Sequence, residues 1–203
     1  KAMESYLKKI QDRIQTTYNG GMGFTASDFT DLADYKTISK TLERLEDAGE
    51  IRRVLRGVYD CPHYSALLDE YEAPSPLKIA QAIARNYNWT IIPSGQISLN
   101  QLGLSTQVAA KWTFISDGPY KCYNIGNIEI QFKHSTNRNI TGMSYKTAMV
   151  VQAMKELGKT YVQDNVISEL KNLLTSEEKE RLYQETMKAT VWMRPIIKVI
   201  CEK

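Results

Sequence analysis

The chain lacks several things, and each absence narrows the field. No stretch of its 203 residues approaches the ~18 consecutive apolar residues that a bilayer-spanning helix needs. No secretory h-region is present either, so the expected setting is the cytoplasm, with no membrane partner. Cysteine is scarce: Cys61, Cys122 and Cys201 are odd in number, far apart and without metal-ligand spacing. That pattern fits free thiols in a reducing compartment and offers neither a disulfide framework nor a structural zinc site. Charge of one sign is not in excess, because a net charge of +3 is too small to indicate a partner by itself. There is no internal repeat and no low-complexity tract. The glycines at 20, 21 and 23 are not preceded by a strand, nor followed by lysine and serine or threonine at P-loop spacing, so they read as a loop. No cofactor fingerprint and no metal set are expected.

The apolar content of 42% and charged content of 24% are ordinary for a folded protein, and the length allows a small domain followed by a medium one. The small one is organised around residues 25–60. Asp34 is a candidate N-cap for a helix in which Ile38, Leu42 and Leu45 recur at spacings of four and three, and Gly49 stands where such a helix leaves through a left-handed residue. The opposite face carries Lys36, Thr37, Lys40, Thr41 and Arg44. Ile51, Val54, Val58 and Tyr59 are strand formers around a Leu55-Arg56-Gly57 hairpin tip, and Arg52, Arg53 and Arg56 lie on that hairpin without an acid among residues 51–58.

This is the order of parts in a winged helix-turn-helix, with residues 5–16 (Tyr6, Leu7, Ile10 and Ile14 on one stripe) and 25–29 as the preceding helices. A basic helix face and a wing with arginines match double-stranded DNA. Residues 1–64 carry ten basic and ten acidic side chains, so DNA binding rests on where the charges sit rather than on their sum.

Residues 61–76 contain three prolines and no sustained periodicity, and read as a linker. The chain therefore divides into 1–71, a DNA-binding winged helix-turn-helix, and 72–203, an α+β domain. The second part begins with a helix over 77–87, a strand over 89–93 and a helix or turn over 95–104. Strand runs follow over 111–116 and 120–132, where Ile128, Ile130 and Phe132 alternate with Glu129, Gln131 and Lys133. From Ser144 the period is helical to the end, with Leu170, Leu173, Trp192 and Ile196 expected in the core. Thr175 and Glu178 form a capping-box pair, and Pro195 fits only the first turn of the last helix. The fold class expected is α+β: a winged helix-turn-helix, then a small mostly antiparallel sheet and a run of helices.

The series IRRVLRGVYDCP (51–62), IAQAIARNYNWTIIPSGQISLNQLGLSTQVAAKW (79–112), IEIQFKHS (128–135) and VVQAMKELGK (150–159) resembles the AbiEi-type antitoxin family of bacterial abortive-infection systems. The resemblance implies a type IV antitoxin. Its winged helix would repress its own promoter, and its C-terminal domain would counter a nucleotidyltransferase-like toxin without requiring a tight complex. Carried over by position, Lys36, Thr37, Lys40 and Arg44 are the groove-reading set and Arg52, Arg53 and Arg56 the wing. No short motif transfers functional residues of the C-terminal domain.

Two other classes stand beside this reading. One is a winged-helix regulator whose second domain senses a ligand. The other is a metal-dependent nucleic-acid-processing enzyme using Glu129 and Asp117, with Lys111, Lys133, His134 and Ser94 as further candidates. The alternation at 129–133 is what any half-exposed strand shows, and Ser94 lacks the glycine two residues earlier that a nucleophile elbow uses. His63 and His134 show no partner at useful spacing. No catalytic residue is assigned, and the chain is read as a non-enzyme.

Overall fold

The structure, a computed structural model, describes residues 2–135, 142–187 and 191–202, with side chains from residue 6 onward. The chain is α+β. It forms two compact units, residues 1–89 with 124–128, and residues 90–123 with 129–203, so the expected boundary near residue 71 falls inside the first unit.

The first unit begins with α1 (Ala2–Thr17), whose Ile10 and Ile14 are buried as the stripe predicts. Strand β1 (Gly23–Thr25) leads into a 3₁₀ turn over Ala26–Phe29. Here the expected short second helix is tighter than an α-helix. Asp28 Oδ2 accepts the Thr25 backbone N–H at 2.9 Å and closes the turn within four residues. Helix α2 (Tyr35–Asp47) and the wing strands β2 (Arg52–Leu55) and β3 (Val58–Asp60) follow. The sheet order is β1-β3-β2, antiparallel throughout. Ile38, Leu42 and Leu45 join Ile10, Ile14, Phe24 and Phe29 in one core. Phe24 lies edge-on to Phe29 at 5.8 Å and stacked on Tyr59 at 6.1 Å.

The stretch expected as a bare linker contains a small hairpin, β4 (Tyr64–Ser65) with β5 (Glu70–Tyr71), around the T-shaped pair Tyr64 and Tyr71. Helix α3 (Pro76–Tyr87) completes the unit by packing on β1. A Cβ on Gly23 would lie 2.9 Å from the Lys78 carbonyl oxygen and 3.0 Å from Ala82 Cβ, so glycine sets how closely the helix approaches. Arg85 fastens the contact, donating to Asp28 Oδ1 at 3.0 Å and to the Gly23 carbonyl at 2.8 Å.

Apart from residues 124, 125 and 128 at the β8-β9 turn, the second unit contains the sheet of β6 (Ile91–Pro93), β7 (Lys111–Ser116), β8 (Lys121–Ile125) and β9 (Ile128–His134), in the order β6-β7-β9-β8. β6 runs antiparallel to β7, and β7 runs parallel to β9. The helices are α4 (Gly95–Gln101), α5 (Tyr145–Leu157), α6 (Asp164–Leu173), α7 (Ser176–Glu185) and α8 (Met193–Cys201). Thr175 caps α7 as expected, with the Glu178 N–H donating to its Oγ1 at 3.2 Å and Glu178 Oε2 accepting the Thr175 N–H at 2.9 Å.

One core expectation is corrected. Leu170 is buried and Trp192 and Ile196 pack against the core, but Leu173 is 43% exposed and Leu174 takes the inward place. The helix ends at Leu173 and Leu174 adopts extended backbone, φ −84° and ψ 134°, which re-aims that side chain. Among the described residues no helix is long and apolar enough to cross a membrane.

Candidate nucleic-acid interface

Helix α2 is fixed at its start by Asp34, whose Oδ1 accepts the Thr37 N–H at 3.0 Å and whose Oδ2 accepts the Thr37 hydroxyl at 2.7 Å. The cap satisfies a backbone donor that the first turn leaves without a helical partner. Hydrogen bonding to Thr37 also holds the Asp34 carboxyl below the usual carboxylate range. With Ile38, Leu42 and Leu45 in the core, the other side is turned outward. Lys36, Lys40 and Arg44 recur there every four residues and are exposed. Among the described residues none of the three side chains has an ion-pair or hydrogen-bond partner.

The two threonines differ from that set. Thr41 is 3% exposed and its hydroxyl donates to the Thr37 carbonyl at 2.8 Å, so it is turned inward and takes no place on the outward face. Thr37 is half-buried and committed to the cap.

The arginines of the hairpin separate as well. Arg52 closes a bidentate pair with the fully buried Asp60, Nε to Oδ1 at 2.9 Å and Nη2 to Oδ2 at 2.6 Å, and donates to the Glu72 carbonyl at 3.1 Å. Arg53 pairs with Glu46 of α2 at 2.6 Å and lies 5.5 Å over the Tyr59 ring. Both hold the wing in place: Arg52 joins its two strands, and Arg53 ties it to α2. Arg56 stands at the tip beside Gly57, whose φ of +78° makes the tight turn, and it is exposed without an intramolecular partner among the described residues. Among the described residues, Lys36, Lys40, Arg44 and Arg56 are therefore the exposed cations of this face and hairpin that no acid engages, whereas Arg52 and Arg53 are committed to Asp60 and Glu46. Sequence reasoning missed Asp60 and Glu46, the acids that make this division.

The two carboxylates of the enzyme reading, Asp117 and Glu129, are not brought together, although Glu129 meets the candidate Lys111. Asp117 Oδ1 accepts the Thr90 N–H at 2.8 Å beyond one end of β7. Glu129 pairs with Lys111 at 3.0 Å at the other end, about 20 Å away along the strand by its rise per residue. His134 lies 2.9 Å from the Gly118 carbonyl oxygen through Nδ1, and His63 pairs with Glu72 at 3.2 Å. Ser94 is the N-cap residue of α4, and Lys133 is exposed. Among the described residues no three of His, Cys, Asp and Glu converge as a metal set.

Comparison with known proteins yields a family of unknown function. The model of the family described as "Family of unknown function (DUF6088)" matches residues 9–182. No curated protein matches the chain. Among solved structures, the RV2827C protein from Mycobacterium tuberculosis is similar at 11% identity and a TM-score of 0.39, covering 97% of this chain and 76% of that one.

Proposed function

We propose, for a chain that belongs to the DUF6088 family of unknown function, that its first unit reads double-stranded DNA and that the protein is the autorepressing antitoxin of a toxin-antitoxin pair. The observation that carries the DNA reading is the row of unpartnered cations Lys36, Lys40 and Arg44 on the outward face of a capped, core-anchored helix, with Arg56 presented at the wing tip. A helix whose buried face is fixed presents its other face rigidly, which base-edge recognition in a major groove demands. The antitoxin role is supported by the resemblance of the sequence segments to AbiEi-type antitoxins. Its operator would lie in its own promoter, its place of action would be the cytoplasm, and its functional counterpart would be a nucleotidyltransferase-like toxin.

The test is anisotropy titration of promoter and random duplexes across a salt series. Lys40→Ala or Arg44→Ala costs about 1–3 kcal/mol on the promoter and much less on random duplex. Arg56→Ala weakens both and lowers the log–log salt slope by about 0.9 for each phosphate that the side chain neutralises. Each variant is also scored for reporter repression and for survival when the toxin is co-expressed; repression falls and protection persists. Variants that bind and repress like the parent would overturn the DNA reading. Absence of protection by the parent protein would overturn the antitoxin role alone.

A further inference from the structure

The sheet of the second unit carries a polar network that the proposed function does not use. Register places Lys111 opposite Glu129, Thr113 opposite Gln131 and Ile115 opposite Lys133, so these six share one face of β7 and β9. At one end Lys111 Nζ meets Glu129 Oε1 at 3.0 Å, and the Cys122 thiol lies 3.9 Å from the same oxygen. Cys122 also lies 3.3 Å from the Tyr120 hydroxyl, and Gln131 Nε2 reaches Cys122 Sγ at 3.6 Å and donates to the Tyr120 hydroxyl.

Gln131 is the exceptional member. It is 3% exposed, and its Oε1 is buried without a hydrogen-bond partner. The facing Thr113 hydroxyl makes no hydrogen bond among the described residues. A buried acceptor left unpaired is unfavourable, and an apolar side chain of the same length would avoid the cost. Retaining glutamine there is explained if the acceptor is filled by a ligand donor.

Its surroundings define the class. Tyr120 is 60% exposed and precedes β8, so its ring can turn aside from Gln131 and offer a stacking surface without disturbing the ladder. Lys111 and Lys133 are exposed cations one rung to either side of Gln131 on the same face. An amide and a hydroxyl on adjacent strands supply acceptor and donor for a heterocycle edge, the aromatic supplies a face to stack on, and Lys133 supplies a cation for the phosphate, while Lys111 is paired with Glu129. We infer that this face binds a nucleotide, with Gln131 Oε1 accepting an N–H of the base, Thr113 donating to a ring acceptor and Tyr120 stacking. The inference rests on the second unit alone and is independent of DNA reading by the first.

The experiment is an amide NMR titration of the full chain with AMP, GMP, CMP and UMP separately, and with inorganic phosphate, each to millimolar concentration. At least one mononucleotide shifts the amides of residues 111–113, 120–122 and 129–131 saturably, and phosphate does not. Gln131→Met weakens that binding at least tenfold while melting at an equal or higher temperature, and Tyr120→Ala weakens it as a surface variant that leaves the buried amide in place. No response to any of the four nucleotides, an equal response to phosphate, or parent-like binding by a folded Gln131→Met protein would overturn the assignment. Should Gln131→Met not fold, parent-like binding by Tyr120→Ala overturns it.

Discussion

Arg52 and Asp60 face each other across the wing, and the carboxylate that the guanidinium grips with two hydrogen bonds is fully buried. Such a pair is strongly asymmetric in its energetics. Its net stabilisation is modest, because both ions lose water, yet removing one partner leaves the other charge buried without compensation.

Arg52→Ala therefore destabilises the first unit by about 3–5 kcal/mol, the cost of leaving the buried Asp60 carboxylate without its partner. Arg56→Ala, at the exposed tip of the same hairpin, leaves the denaturation midpoint unchanged. Urea denaturation of the two variants separates the arginine that builds the wing from the one that the wing presents. Equal midpoints would refute the division.

The end of α6 supplies a second contrast. Leu170→Ala empties a fully buried site and costs about 2–5 kcal/mol. Leu173→Ala, three residues on, removes a side chain that is already 43% exposed, and shifts the melting temperature by a small fraction of that. Calorimetry on both variants checks the placement, and a Leu173→Ala loss as large as that of Leu170→Ala would contradict it.

Glu185 joins α7 to the start of α5 and makes stability depend on pH. Burial pushes its carboxyl up, but hydrogen bonds from Thr147 and from Ser144, whose N–H and hydroxyl donate to Oε2 at 2.8 and 2.9 Å, outweigh burial and hold it below the usual range. A carboxyl depressed in the folded state binds its proton more readily when unfolded. Its stabilisation is thus fully present above the unfolded value of about 4.3 and is lost as pH falls through the lower folded value. Melting temperatures taken downward from about pH 6 should fall less steeply for Glu185→Gln than for the parent, in proportion to this one group. Parallel curves would show that Glu185 does not contribute.

Much of the architecture is legible in the sequence because it is set locally. A side chain that caps its own helix acts within three residues, so Asp34 and Thr175 could be read as caps from spacing, and the periodicity of Ile38, Leu42 and Leu45 named a buried face before any partner was known. The exposed cations Lys36, Lys40 and Arg44 follow from the same period, since a helix with one buried face must present the other. The side of Thr41, the inward turn of Leu174 and the small hairpin of the linker were set instead by contacts and backbone geometry beyond that local pattern.

The fate of the wing arginines was decided by tertiary structure alone. Leu55 pairs with Val58 across the tip, and continuing that register without interruption would set Arg53 opposite Asp60. An irregularity between Arg53 and Leu55 shifts the pairing by one residue, so that Arg52 meets Asp60 and Arg53 meets Tyr59. One extra residue in one strand exchanges the faces of every side chain beyond it. Composition records three arginines on a hairpin. The fold buries an acid opposite the first, sets Glu46 of α2 against the second and leaves the third to solvent, because strand register and helix docking, unlike periodicity, depend on residues far apart in the chain.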